Sequence, residues 1–91
     1  MSHTAKHVIF SGRVQGVGFR FTAHSTANQY GLVGFVRNLP DETVEMVVQG
    51  DSEAIESCIR DLEKSFEDYV RETSVEEIAI DPRRREFRIT F

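Results

Sequence analysis

Cysteine is almost absent from this 91-residue sequence: Cys58 stands alone, so no internal disulfide can form and nothing in the fold depends on an oxidising compartment. Long apolar runs are missing too, and the opening Met1-Ser2-His3-Thr4-Ala5-Lys6 leads straight into strand-like sequence, which leaves neither a signal peptide nor a membrane span. Basic charge is in short supply. With 11 lysines and arginines against 15 aspartates and glutamates, the net charge of -4 runs against the basic surface that nucleic-acid binders use. The acidic residues show no metal-ligand spacing, so no metal and no other cofactor is expected. A cytoplasmic protein with neither membrane nor nucleic acid as a partner is the expectation from these absences.

What is present reads as one small domain, residues 1–91 with a core over about 7–91, since 40% hydrophobic and 29% charged residues are those of an ordinary globular chain. Val8, Phe10 and Gly12 alternate with Ile9, Ser11 and Arg13, the period of a strand. From Phe19 the spacing changes. Phe19, Ala23, Ala27 and Tyr30 line one face of a helix that Gly31 can cap, with His24 and Asn28 on its polar side. Leu32 to Asn38 is a second strand, Leu39-Pro40-Asp41-Glu42 has turn chemistry, and Thr43 to Gln49 returns as the second arm of a hairpin. Asp51 or Ser52 can cap a second helix with the apolar stripe Ile55, Cys58, Ile59, Leu62 and Phe66. Ser74 to Ile80, with Ile78 and Ile80 on one face, predicts a fourth strand. Phe87, Ile89 and Phe91 facing inward predict a short last one.

This order is the α+β plan called ferredoxin-like: a βαββαβ sandwich, an antiparallel sheet with two helices on one face. Each helix then links two parallel strands by a right-handed crossover with a strand of the other unit between them. The end of the first strand, the start of the first helix and the end of the second strand therefore meet at one edge of the sheet. At that edge stands "GRVQGVGFR", residues 12–20. Unpaired N–H groups and the positive end of the helix dipole make a helix start an anion site, Gly16 and Gly18 let a ligand approach the backbone, and Arg20 supplies a planar fork for two phosphate oxygens. Read from the residues alone, the stretch serves equally as a common strand-to-helix turn. It matches no nucleotide fingerprint: no Lys-Ser or Lys-Thr pair follows, and Phe21 stands where a dinucleotide motif has glycine.

"GRVQGVGFR", followed at helix length by "GLVGFVRNLPDETVEMVVQGD", resembles the acylphosphatase family, and the resemblance extends from about Val8 to the closing "FRITF". It implies an acid-anhydride hydrolase acting on a small acyl phosphate. Arg20 would bind the phosphoryl group together with backbone N–H groups of Gln15, Gly16, Val17, Gly18 and Phe19, and Asn38 would position the attacking water. A monomer without cofactors is the expected working form. The alternative from another class is a non-catalytic ferredoxin-like module that binds a small ligand or RNA.

The remaining chemistry-bearing residues have plainer readings. His3 falls in a frayed terminus, His7 and His24 are solvated, Cys58 is a small core residue, and Arg83, Arg84 and Arg85 lie in a solvated loop after Asp81-Pro82. Two departures from the family pattern stand out. Asp41-Glu42 replaces the usual Asp-Gly, predicting a changed hairpin turn beside Asn38, and the acidic connection 65–72 predicts altered substrate preference or a raised Michaelis constant for an anionic substrate rather than lost chemistry.

Overall fold

A computed structural model describes residues 2–91, so Met1 of the expected domain lies outside it. Five strands and two helices follow one another as β1 (His3–Gly12), α1 (Phe19–Gln29), β2 (Val33–Asn38), β3 (Val44–Asp51), α2 (Ser52–Ser65), β4 (Val70–Ile78) and β5 (Phe87–Ile89). The sheet order is β4-β1-β3-β2-β5. Strand β3 is antiparallel to both β1 and β2, which makes β1 and β2 parallel and brings Gly12 and Asn38 to one end. The ferredoxin-like plan is therefore realised. The fifth strand departs from it, since β5 pairs parallel with β2 and the sheet is mixed.

Alternation decides which side chains meet the helices. Val8 and Phe10 of β1, Val36 of β2 and Val44, Met46 and Val48 of β3 join Phe19, Ala23 and Ala27 of α1 and Ile55, Cys58 and Leu62 of α2 in one buried cluster. The α2 stripe follows the apolar spacing of the sequence, and Asp51 caps its start, accepting from the Ala54 N–H at 3.2 Å. Helix α1 ends where Gly31 was expected to end it, with the Leu32 N–H donating back to Ala27 at 2.9 Å.

Several expectations are corrected. Strand β4 begins at Val70 rather than Ser74 and ends before Ile80, which is exposed. Its start is set by pairing with the end of β1, Gly12 opposite Val70, a long-range partnership that hydropathy does not encode. Phe91 lies beyond β5 and is 94% exposed instead of facing inward. His3 belongs to β1, opposite Asp51, and is not frayed. His7 is paired rather than solvated: its Nε2 lies 2.8 Å from the Glu45 carboxylate, which also accepts from Arg37 Nε at 2.5 Å.

The connection from β4 to β5 must pass from one edge of the sheet to the other. It crosses the face away from the helices. Gln49 on that face donates to the Asp81 carbonyl at 3.0 Å and accepts from the Asp81 N–H at 2.9 Å, and Arg84 lies over the ring of Phe35, 5.4 Å from its centroid. The arginine run is thus partly laid onto the sheet. This strap delivers β5 beside β2, so that Thr90 and Phe91 arrive at the end of the sheet where β1 and β2 finish.

Candidate active site

The loop between β1 and α1 is pinned at both ends. Val14 and Phe19 are each 1% exposed, and the Phe19 ring sits 4.7 Å from those of Phe10 and Phe66, while Gly16 and Gly18 between them are exposed. Both glycines hold positive φ, 78° and 82°, a region closed to most side chains. Gly18 is also the N-cap of α1. It offers no side chain to the helix, the first turn carries no acidic residue, and the first helical bond runs from Thr22 N–H to Gly18 O. The N–H groups of Phe19, Arg20 and Phe21 are consequently without intrahelical acceptors, at the positive end of the helix dipole.

Gly16, Gly18, Phe19, Arg20 and Asn38 line one cleft of about 310 Å³. Val14, Phe21, Ile89 and Phe91 add apolar lining. Among the described residues Arg20 has no carboxylate partner; its Nη1 donates to the Thr90 carbonyl at 3.4 Å, and its guanidinium lies 5.0 Å from the centre of the Phe91 ring. Asn38 ends β2, and its Oδ1 is buried without a hydrogen-bond donor. A buried, unpartnered amide oxygen costs free energy, about 1–3 kcal/mol, unless something in the functioning molecule donates to it. Among the described residues that line the cleft, Arg20 alone has an ionisable side chain.

Residues 6–89 of the chain match the acylphosphatase family model. The chain belongs to the acylphosphatase family. It is 43% identical to the acylphosphatase of Chlorobaculum tepidum over 90 residues, 98% of each chain. To the acylphosphatase of Trichormus variabilis it is 54% identical over 54 residues, 59% of this chain and about half, 54%, of that relative. The crystal structure of acylphosphatase from Bacillus subtilis superposes with a TM-score of 0.87 at 28% identity, covering 99% of this chain and all, 100%, of that one.

For this acylphosphatase family member, five of the seven residues singled out from sequence share the cleft. Gln15 and Val17 do not line it. They border a neighbouring cavity of about 520 Å³ with Arg13, Glu42 and Tyr69, and Val17 also packs against the core. The amide of Gln15 is engaged elsewhere, donating to the Leu39 carbonyl at 2.8 Å and the Thr43 carbonyl at 2.9 Å. Sequence reasoning missed Thr90 and Phe91, and no local signal points to them, because the strap that carries them to Arg20 is a property of the whole sheet. In the Asp41-Glu42 turn Glu42 takes the left-handed region, φ 72°, which glycine adopts more readily than other residues. Asp41 stabilises it by accepting from the Thr43 hydroxyl at 2.6 Å and the Thr43 N–H at 3.1 Å, and these bonds hold its carboxyl below the ordinary range. His24 stays on the helix surface, 3.4 Å from the Asn28 amide.

Proposed function

We propose that this protein hydrolyses small acyl phosphates in the cleft between the 14–20 loop and the end of β2. Arg20 and the backbone N–H groups of the loop hold the phosphoryl oxygens, and Asn38 accepts a hydrogen bond from the water that attacks phosphorus. The P–O bond to the acyl group breaks and a carboxylate leaves. That leaving group needs no proton, so positioning and charge stabilisation can carry the reaction without a general acid. The attacking water's proton passes to a phosphate oxygen of the substrate, because an amide has negligible basicity and the lining offers no other acceptor side chain. The observation that carries this reading is the pairing, in one cleft, of an arginine free of carboxylates with Asn38, whose amide oxygen has no donor among the described residues.

Benzoyl phosphate hydrolysis with a chelator present tests it, alongside Arg20→Ala and Asn38→Ala. Each substitution is expected to lower kcat/KM by about 10²- to 10³-fold, the usual cost of a lost transition-state contact. Folded variants as active as the parent would reject the site. A side-chain base would add an ionisation to the rate profile that disappears on replacing one carboxylate or histidine.

Among the described residues no helix is long and apolar enough to cross a membrane. A cytoplasmic, monomeric, cofactor-free single domain completes the proposed reading. Binding of RNA on the open sheet face is disfavoured by the strap from Asp81 to Glu86 that crosses it. Glu67 and Asp68 are exposed on the short connection between α2 and β4, at the cleft end of the sheet. Their charge raises KM by depleting an anionic substrate locally. Glu67→Gln with Asp68→Asn is expected to lower KM at low salt and leave kcat alone; an unchanged KM rejects that role.

A further inference from the structure

Resting on the acyl phosphate reading above, we infer that the side chain of Gln15 is a positioning residue that sets the distance between the phosphoryl cradle and Asn38. Gln15 lies between Val14, which is buried in the core, and Gly16, which lines the cleft. Its amide nitrogen has two donors, and both are used on the β2–β3 hairpin. One bonds the carbonyl of Leu39, the residue after Asn38, at 2.8 Å; the other bonds the carbonyl of Thr43 at 2.9 Å, next to Val44, the cross-strand partner of Asn38. Both bonds therefore tie the loop to the base of the turn, immediately beyond the Asn38–Val44 pair.

The hairpin's own bonds, including those from Thr43 to the Asp41 carboxylate, fix the turn internally and do not set its distance from the loop. Its turn is closed by Leu39 N–H to Thr43 O at 2.9 Å and Glu42 N–H to Leu39 O at 3.1 Å, and it contains Glu42 in the left-handed region, where a side chain costs roughly 1–2 kcal/mol. The Asn38 side-chain oxygen has no partner among the described residues, so the aim of that amide is inherited from its backbone. Removing the tie leaves the cradle intact and frees the Asn38 end of the hairpin to move relative to it. A misplacement of about 1 Å between a bound group and the group that attacks it costs about 10²-fold in rate.

The test separates placement from binding. Gln15→Met keeps the length of the side chain and removes both donors; kcat is expected to fall about 10- to 100-fold while the inhibition constant of inorganic phosphate stays within about threefold of the parent. Gln15→Glu, which turns a carboxylate toward two carbonyl oxygens, is expected to lose at least as much in kcat. A folded Gln15→Met protein with kcat within twofold of the parent would overturn the inference. So would a loss of phosphate affinity in proportion to the loss of kcat, which would make Gln15 a phosphate ligand. Nuclear magnetic resonance supplies a readout independent of catalysis: the Gln15 side-chain amide protons are expected to exchange slowly, and Gln15→Met to shift the Asn38 side-chain amide resonances while those of the α2 backbone stay in place. If the parent hydrolyses no acyl phosphate, the functional reading fails by itself, and unmoved Asn38 resonances would then reject the tie as well.

Discussion

The guanidinium of Arg20 rests over the ring of Phe91, 5.0 Å from its centroid. The two residues come from opposite ends of the chain, and the contact leaves the arginine's charge facing a ring and a carbonyl rather than a carboxylate. An exposed cation–π contact contributes about 0.5–1 kcal/mol. Phe91→Ala is therefore expected to raise KM about two- to fivefold, with a smaller change in kcat, because it frees the side chain of Arg20 without removing it. Steady-state kinetics with benzoyl phosphate checks this; an unchanged KM would mean the ring does not orient the arginine.

Glu42 occupies the left-handed region at φ 72° in the turn after Asn38. Glycine takes that conformation without strain but adds flexibility to the unfolded chain, an offset of about 0.4–1 kcal/mol. Glu42→Gly is expected to raise stability by about 0.5–1 kcal/mol with kcat unchanged. Urea unfolding measures it, and a lower midpoint would show that the Glu42 side chain itself stabilises the turn.

On the sheet face away from the helices, burial pushes the Glu45 carboxyl up, but hydrogen bonds and charge from His7 and Arg37 outweigh it and hold the carboxyl below its ordinary value of 4.5. A depressed folded value contributes stability that is present above the unfolded value and lost as pH falls through the folded one. Glu45→Gln is expected to cost about 2 kcal/mol at neutral pH, the scale of hydrogen bonds to a charged group, and the gap to the parent is expected to narrow below pH ~4.5. A gap constant from pH 7 to pH 3 would show that the loss is one of packing alone.

Burial, with a smaller contribution from Asp61, pushes the Cys58 thiol up to about 12 from an ordinary 9.0. The thiolate is the reactive form, so the native protein is expected to resist iodoacetamide at pH 8 and to be alkylated only as fast as it opens. The same shift makes stability fall as pH rises above about 9, where the unfolded chain gives up this proton and the folded one does not. Rapid native labelling would place the thiol at the surface.

Much of the architecture was legible because local pattern and packing agree. The α2 stripe from Ile55 to Leu62 has the period of a helix with one buried face, and Val44, Met46 and Val48 have that of a strand with one face on the core. Where a segment's partner rather than its own pattern decided its state, reading failed. Val70 to Thr73 became strand because β1 lies beside it, although Glu72 and Arg71 look like loop.

The sequence by itself determined the order of the elements and the glycine-permitted loop before α1, and it singled out Arg20 and Asn38 as candidates, since these depend on residue type, periodicity and a short motif. Only the tertiary structure decided that Gln15 spends its amide on the Asn38 hairpin, that His7 shares Glu45 with Arg37, and that Phe91 lies against Arg20. Those contacts join residues far apart in the chain. Their geometry follows from strand register and from a strap that crosses the whole sheet, and neither is written in the spacing of neighbouring residues.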